Sequence, residues 1–346
     1  MPANPRIYYP IHAIGFAPLG ASAVTGYRAV KGAQSVGTNT NFSLEQVYEL
    51  GQVEIYENIE NFPEVEVTVE KVIDGYSLIE HLATPQAVSA TLAGRYNDNR
   101  SMAIIAYYPI ISDGASGIPL SYVQLSGLYV SAINWNIPVE GNITESVTLT
   151  CRDKRSFNSP VGIPWASGAF RTTSFTGNDS PVLASGGVQR RENVVMGSGW
   201  SRWPTDIPGI DVNGFNASGT NGFAAHIQNV TIAVNLGRTD LLELGRKGAY
   251  FRYANFPVEV TTTIEVTASE YGDNVDAIED IDNLTEEAIK IYLTNGVIID
   301  LGTKNKLSTV SESGGDTSGG NRTVQYTYSN FNSYRCTMSA TDPAGL

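Results

Sequence analysis

The amino-acid sequence predicts a mainly β protein with a few short helices, built as two tandem domains within 346 residues. Short runs rich in Val, Ile, Thr and Tyr alternate apolar with polar residues, and 34 Gly and 16 Pro punctuate the chain, a composition typical of strands joined by turns. An internal repeat supports two domains. Residues 41–63 and 235–257 match without a gap at a constant offset of 194, with eight identical positions that include ELG and NFP.

The first domain is expected over residues 35–156, after an extended N-terminal arm formed by residues 1–34. Its clearest strand is EVEVTVEKV, residues 64–72, in which valines alternate with polar, mostly acidic residues. One face of this strand is therefore apolar and the other acidic. A short helix is predicted in YSLIEHLATPQ, ending at Pro85. SYVQLSGLYVSAINWNI and ESVTLTC are predicted as an antiparallel hairpin that turns at PVEGN.

The second domain, residues 226–346, is expected to repeat this order. Its strand VEVTTTIEV, residues 258–266, again has one apolar and one polar face. The acidic stretch that follows is predicted to end in a helix capped near Asn283 or Thr285. The segment TVQYTYSNFNSYRCTMSA is predicted as a hairpin that mirrors the last hairpin of the first domain.

An insertion rich in Gly, Ser, Pro and Asn, residues 157–225, separates the two domains. A connection of this length inside a compact protein is expected to have a role. Trp200 and Trp203 within it fit two interpretations, stacking on a sugar ring or anchoring an ordered loop on a neighbouring surface.

Residue patterns for catalysis and for metal or cofactor binding are not found in the sequence. His12, His81 and His226 stand alone, without HExxH or GxSxG, and the Gly-rich segments lack the context of a phosphate-binding loop. A glycosidase would need two carboxyl groups in distinct environments, and no such pair is marked. We expect no enzymatic activity, no catalytic residue, no cofactor and no metal site.

Cys151 and Cys336 each lie near the end of their own half. Two cysteines are too few for a disulfide framework. We expect reduced core thiols at equivalent positions of the two domains.

The net charge of −13 and the pI near 4.7 argue against a surface that grips nucleic acid. An acidic wall would instead let a polyanion pass without sticking. The N-terminal sequence lacks the pattern of a signal peptide, and the most apolar run, residues 102–111, is about half the length of a membrane span. A soluble chain made in the cytosol, with no membrane partner, is expected.

A strand with one acidic and one apolar face belongs to a sheet that is wet on one side. The edges of such sheets are protected or pair with another chain. If the sheets of several subunits join edge to edge, they close into a large barrel around an aqueous channel. Because each chain carries two similar units, three chains would form a pseudo-sixfold ring.

The block GAQSVGTNTNFSLEQVYELGQVEIYENIENFPEVEVTVEKVIDGYSLIEHLAT, with the later LSGLYVSAINWNIPVEGNITESVTL, resembles the tail tube proteins of long-tailed bacteriophages. The resemblance covers most of residues 30–156 and reaches the second unit mainly through the internal repeat. It implies two tandem tail-tube-like domains, each a β-sandwich or barrel segment, whose sheets join between subunits into a large closed β-barrel. Stacked rings, expected to be trimers because of the internal repeat, would then form the tube.

The resemblance also implies a location and partners. The chain would be a virion tail component assembled in the host cytoplasm, with itself as main partner and the tail sheath, tape measure and baseplate proteins as others. DNA would be a transient, non-specific passenger ejected through the tube. The residues expected to line the lumen are Glu64, Glu66, Thr68, Glu70, Glu259, Thr261, Thr263 and Glu265.

Two alternatives stay open at this point. A baseplate or tail-completion protein of the same fold would cap one end instead of polymerising. A carbohydrate-binding β-sandwich protein would use Trp200, Trp203 and some of the 18 tyrosines. Contractile and rigid tails would both use such a tube.

Overall fold

The structure is a computed structural model that describes residues 12–19, 27–84, 92, 101–107, 119–151, 153–158, 187–196, 200–207, 226–246, 248–267, 284–314 and 321–338. Over these residues the protein is mainly β, as predicted, with one short α-helix, α1 (Ile79–Ala83). The strands are β1 (His12–Pro18), β2 (Arg28–Ala29), β3 (Ala33–Asn41), β4 (Leu44–Tyr48), β5 (Ile55–Glu60), β6 (Glu64–Val72), β7 (Ser101–Tyr107), β8 (Ser121–Pro138), β9 (Thr144–Cys151), β10 (Asp153–Phe157), β11 (His226–Asn235), β12 (Arg238–Leu241), β13 (Phe251–Ala254), β14 (Glu259–Thr267), β15 (Lys290–Tyr292), β16 (Val297–Asp300), β17 (Lys306–Ser313), β18 (Thr323–Phe331) and β19 (Arg335–Met338).

The main sheet is antiparallel and runs in the order β3-β6-β9-β8-β11-β14-β18-β17. It joins strands from both halves of the chain through the pair β8–β11. Among the described strands, β3 and β17 each have one neighbour and form the two edges. The sheet does not close into a barrel within these residues.

Strand β8 belongs to two sheets at once. Its C-terminal part pairs with β9 and β11 in the main sheet, whereas residues 121–128 pair with β7 and β10 in a second sheet of order β2-β1-β7-β8-β10. Gly127, with a φ of +69°, lies where the strand passes from one sheet to the other, and a positive φ is adopted most readily by glycine.

One continuous core lies on the apolar face of the main sheet. Val65, Val67 and Val69 of β6 are buried there, in the same cluster as residues of α1 and of the small antiparallel sheet β15-β16-β19. The alternation seen in the sequence therefore reports a sheet that is packed on one side. No helix in the described part of the chain is long and apolar enough to cross a membrane.

The helix predicted after Asn283 or Thr285 is wrong, because Lys290–Tyr292 forms β15. Ile289, Ile291 and Leu293 are all buried, while the residues between them are partly exposed. A burial period of two is that of a strand, and it outweighs the helix propensity of TEEAIK.

The predicted final hairpin is also wrong. β18 pairs with β14 and β17 in the main sheet, whereas β19 pairs with β16 in the small sheet. Cys151 and Cys336 are free and buried, as expected for core thiols. They do not occupy equivalent positions, since Cys151 ends β9 and Cys336 lies on β19.

Parts of the predicted N-terminal arm and insertion are ordered elements of the fold. His12–Pro18 forms β1, paired along its length with β7. Residues 187–196 and 200–207 of the insertion contact the rest of the chain through backbone hydrogen bonds to Ile73, Ile143, Lys290 and Tyr292. Phe157 of the insertion ends β10. Residues 159–186, 197–199 and 208–225 of the insertion, Pro85 and residues 268–283 lie outside the described residues, and the domain boundaries stay predictions.

Candidate functional site

The eight residues predicted to line a lumen lie on one face of the main sheet, which we call the acidic face. Directly opposed residues of antiparallel strands project to the same side. One row crosses the sheet this way: Glu70 lies opposite Ser146, Ser146 opposite Asn134, Asn134 opposite Ala233, and Ala233 opposite Thr261. The structure thus brings the predicted residues of β6 and β14 onto a single surface.

The acidic face is filled mostly by small polar residues. Glu64, Glu66 and Glu259 are exposed, and the other five predicted residues are partly exposed. Their neighbours on the same face include Ser35, Asn39, Asn134, Asn136, Ser146, Thr148, Thr150, Thr231, Ser311, Thr327 and Ser329. Among the described residues of the main-sheet strands, this face carries one lysine, Lys306 opposite Ser329, and no arginine.

Hydroxyl groups hydrogen-bond to the glutamates and to each other across this face. Ser35 Oγ donates to Glu70 Oε2 at 3.2 Å, and Ser329 Oγ donates to Glu259 Oε1 at 2.8 Å. The donors in both contacts are neutral hydroxyl groups, which bring no positive charge to the face. The face therefore presents anionic and neutral groups to whatever lies in front of it.

Glu64 differs from the other predicted residues because it lies at the end of the face, near a buried arginine. Arg252 donates to Asp240 Oδ1 at 2.6 Å, to Thr150 Oγ1 at 2.8 Å and to Glu64 Oε1 at 3.3 Å. It is 5% exposed. Arg252 belongs to the hairpin β12–β13, so this hairpin is fastened over one end of the acidic face.

The two halves of the main sheet repeat one another in strand order and in irregularities. The pair β3–β6 has a bulge between Ala33 and Ser35, and β11–β14 has one between Ile227 and Asn229. β8–β9 and β17–β18 are likewise both irregular, at residues 130–132 and 307–309. These irregularities fall at corresponding places in the order β3-β6-β9-β8 and in the order β11-β14-β18-β17.

Side-chain contacts repeat at the same places. Ser131 Oγ in the first irregularity donates to Thr148 O at 3.1 Å, and Ser308 Oγ in the second donates to Thr327 O at 2.9 Å. The hydroxyls of Thr68 and Thr148 lie 3.3 Å apart, and those of Thr263 and Thr327 lie 3.4 Å apart.

A buried polar cluster below the acidic face was not found from the sequence. The Glu145 carboxylate accepts the backbone N–H groups of Ile79 and Glu80 at 2.8 and 2.9 Å, and Lys71 Nζ donates to Asp74 Oδ1 at 3.0 Å. Burial, followed by the charge of Glu80, raises the pKa of Glu145 to about 7. Lys71 and Glu145 lie at positions of β6 and β9 where the alternating pattern predicts apolar residues, so the sequence pattern did not indicate a polar cluster.

Glu80 continues this cluster toward the small sheet. Trp135 Nε1 donates to Tyr334 Oη at 3.0 Å, and Tyr334 Oη donates to Glu80 Oε2 at 3.2 Å. Possible ligand atoms of Glu80, His81 and Cys336 lie within 4.8 Å of one another. Glu80 accepts a hydrogen bond from Tyr334, and His81 Nε2 lies 3.2 Å from the Cys336 carbonyl oxygen. Together with the Trp135–Tyr334 bond, these contacts link α1 to β8 and β19.

The two insertion tryptophans support packing over sugar stacking. Trp203 is buried and its Nε1 lies 3.3 Å from Met196 Sδ. Trp200 contacts Tyr292 edge-on, with ring centroids 5.4 Å apart. An apolar cavity of about 460 Å³ adjoins Trp203, and its lining offers few polar groups to orient a sugar.

The comparisons with known proteins bear on the N-terminal part of the chain. Residues 22–80 match the family model described as Phi812 tail tube protein. The matched range contains the strands from β2 to β6, and with them the first acidic strand. No curated protein matches the chain. Over residues 22–80 the chain is similar to a phage tail tube protein, which supports a structural protein of the virion tail.

Proposed function

We propose that this protein builds a bacteriophage tail tube from stacked rings, each made of chains joined edge to edge around an acidic lumen. The observation that carries this proposal is the repeated strand order of the main sheet, whose edge strands β3 and β17 each have one neighbour among the described strands. The role is structural, and we assign no enzymatic reaction to it.

We infer that the two halves of the main sheet arose by duplication. On that basis β3 corresponds to β11 and β17 corresponds to β8, since the bulges and the serine hydrogen bonds coincide. The free edges of the chain are therefore copies of two strands that already pair inside it, β8 and β11. The β17 edge of one chain should accept the β3 edge of the next in the same way.

The internal junction predicts the register between chains. Within the chain, Ala233 lies opposite Asn134. The counterpart of Ala233 is Asn39 on β3, because Asn39 lies opposite Glu66 as Ala233 lies opposite Thr261. The counterpart of Asn134 is Ser311 on β17, because each lies three residues after the serine of its strand irregularity, Ser131 or Ser308. Asn39 of one chain should thus face Ser311 of its neighbour.

Closure would satisfy both edges and would leave an open bore. An unpaired edge exposes backbone donors and acceptors that pair readily with another strand. With two half-sheets in each chain, a ring of three chains has pseudo-sixfold symmetry. Its strand number would exceed the roughly 16–18 at which closed barrels already enclose an aqueous channel.

The acidic face would line this bore. Glu66, Glu70, Glu259 and Glu265 would repel the phosphates of DNA, and the intervening hydroxyls and amides are neutral. Lys306 is the one cation that the described main-sheet strands place on this face. The genome could then slide into the host without being captured at each ring. Tape measure and baseplate proteins, and a sheath if the tail is contractile, are the further partners expected of this role, with assembly in the host cytoplasm.

Charge reversal tests the lumen. The double variant Glu66→Lys with Glu259→Lys should slow genome delivery, because each ring would gain cations facing the DNA, while tube length stays unchanged. The matched variant Glu66→Gln with Glu259→Gln should have a much smaller effect. Normal infection by the lysine variant, together with no DNA binding by its tubes, would overturn the lumen assignment.

A disulfide tests the register. Hydrogen bonds from Leu236 N to Ser131 O and from Val139 N to Gln228 O place Ala233 and Asn134 in a non-hydrogen-bonded pair, where Cα atoms are about 4.5 Å apart. Such a pair can be bridged by a disulfide. Asn39→Cys with Ser311→Cys should therefore cross-link assembled chains under oxidation.

The control places the second cysteine one residue away, as Asn39→Cys with Val310→Cys. A shift of one residue moves the side chain to the other face, so this pair should stay reduced. Absence of the cross-link in the first variant, or equal cross-linking in both, would contradict the proposed pairing of β17 with β3 of the next chain.

A further inference from the structure

The described part of the chain contains two similar hairpins, of which one is covered and the other is exposed. The basic arm, β12–β13, has partly or fully buried residues throughout both strands. In the acidic arm, β4–β5, β5 is exposed throughout and β4 is exposed at all but one residue. Both arms occupy the same place in their halves, between β3 and β6 or between β11 and β14.

The basic arm is covered because it lies on the first half of the sheet. Arg238 Nε donates to Val130 O at 2.9 Å and the guanidinium lies 5.3 Å from the centre of the Tyr129 ring. Arg252 reaches Thr150 and Glu64. The arm of the second half therefore rests on the half that precedes it across the β8–β11 junction.

We propose that the acidic arm rests in the same way on the second half of a neighbouring copy of this chain. This inference rests on the edge-to-edge ring proposed above, in which β17 of the neighbour takes the place that β8 has inside the chain. The receiving surface is then formed by the ends of β14, β17 and β18 near Glu259, Lys306 and Ser329.

The charges of the arm and of this surface are complementary. Residues 42–62 contain no lysine or arginine, and their glutamates are Glu45, Glu49, Glu54, Glu57 and Glu60. The surface beneath the basic arm has Gly127 and Tyr129, whereas the corresponding positions just before and at the start of β17 are Lys304 and Lys306. Lysines thus stand where an acidic arm, and not a basic one, would dock.

The face that docks can be identified from the strand register. In the basic arm, Arg238 opposes Ala254 and Asp240 opposes Arg252, and this face meets the sheet. In the acidic arm the corresponding pairs are Leu44 with Glu60 and Gln46 with Asn58. Leu44 is 60% exposed in the isolated chain, and docking would cover it while bringing Glu60 near Lys306.

A charge swap tests this contact. Lys306→Glu and Glu60→Lys should each raise the critical concentration for tube assembly about two- to fivefold, the range of an exposed ion pair. The double variant should return close to the wild-type value. Arg335→Glu, a reversal at an exposed position on β19, should leave assembly unchanged. Single variants without effect, or a double variant as impaired as both singles combined, would overturn the docking.

The disulfide between β3 and β17 of neighbouring chains distinguishes a failure of the arm docking from a failure of the ring on which the docking rests. If Asn39→Cys with Ser311→Cys cross-links normally while the charge swap fails, the arm docks elsewhere and the ring stands. If the Asn39→Cys with Ser311→Cys pair does not cross-link, either with the native charges or with the charge swap, the ring itself is wrong.

Discussion

Replacing Arg252 by Met should detach the basic arm from the first half of the sheet. Methionine keeps most of the aliphatic length but removes every donor. The lost hydrogen bonds are those to Asp240 at 2.6 Å, to Thr150 at 2.8 Å and to Glu64 at 3.3 Å. The Arg252 side chain is 6% exposed and the Asp240 side chain 21%, so solvent replaces these bonds poorly.

The magnitude follows from the burial of each partner. A hydrogen bond to a charged group contributes about 1.5–3 kcal/mol, which applies to the largely buried pair with Asp240. The Glu64 side chain is 52% exposed, so its contact adds at most about 1 kcal/mol. We expect Arg252→Met to reduce the free energy of unfolding by about 2–4 kcal/mol.

The assay is urea unfolding of the unassembled protein, followed by tryptophan fluorescence, with hydrogen exchange of the β12–β13 amides alongside. The matched control is Arg246→Met in the same arm. Arg246 lies 2.9 Å from Glu243, but both side chains are about half exposed, so this change should cost under about 1 kcal/mol. Equal effects of the two variants, with arm protection unchanged, would refute the assigned role of Arg252.

Three further predictions concern buried residues. Val67→Asp should abolish soluble folding, because it places an unpaired carboxylate at a fully buried site. Thr68→Asp, on the opposite face of the strand, should fold. Soluble yield and circular dichroism of the two variants test this difference. The pKa of Glu145 is raised to about 7 from an ordinary 4.5, so between these pH values the folded state binds a proton that the unfolded state has released. The contribution of Glu145 to the free energy of unfolding therefore falls as pH rises from about 4.5 to about 7. Glu145→Gln should flatten that part of the plot of stability against pH, and an unchanged slope would contradict this reasoning. Burial raises the pKa of the Cys151 thiol to about 11, so Cys151, and the equally buried Cys336, should resist thiol reagents at pH 8 until urea unfolds the chain, and rapid native labelling would contradict their burial.

Strands packed on one side were predictable because their alternation is local. Glu64–Val72 was predicted to the residue, and Glu259–Thr267 was predicted one residue early. The polar strands at the two edges gave no such signal. β3 and β17 carry Thr, Ser, Asn and Gln on much of both faces, a composition that fits strands without a neighbour inside the chain.

Pairing between the halves could not be predicted from local patterns. The register of β8 against β11 joins residues about a hundred positions apart, and neither strand encodes its partner. The acidic face was predicted, but the fastening of Glu64 by Arg252 was not, because position 252 diverges from Asn58 within the repeat. The identical positions of the internal repeat indicated two similar segments. The structure shows that both are hairpins and that the one with the basic residues rests on the sheet.

The most direct test of the edge-to-edge ring is electron microscopy of the purified protein at high concentration, with rotational averaging of end-on views. The proposal predicts hollow filaments with a regular axial repeat, whose rings contain three chains around an open bore lined by Glu66 and Glu259. A population that stays monomeric at high concentration, with β3 and β17 unprotected in hydrogen exchange, would contradict it.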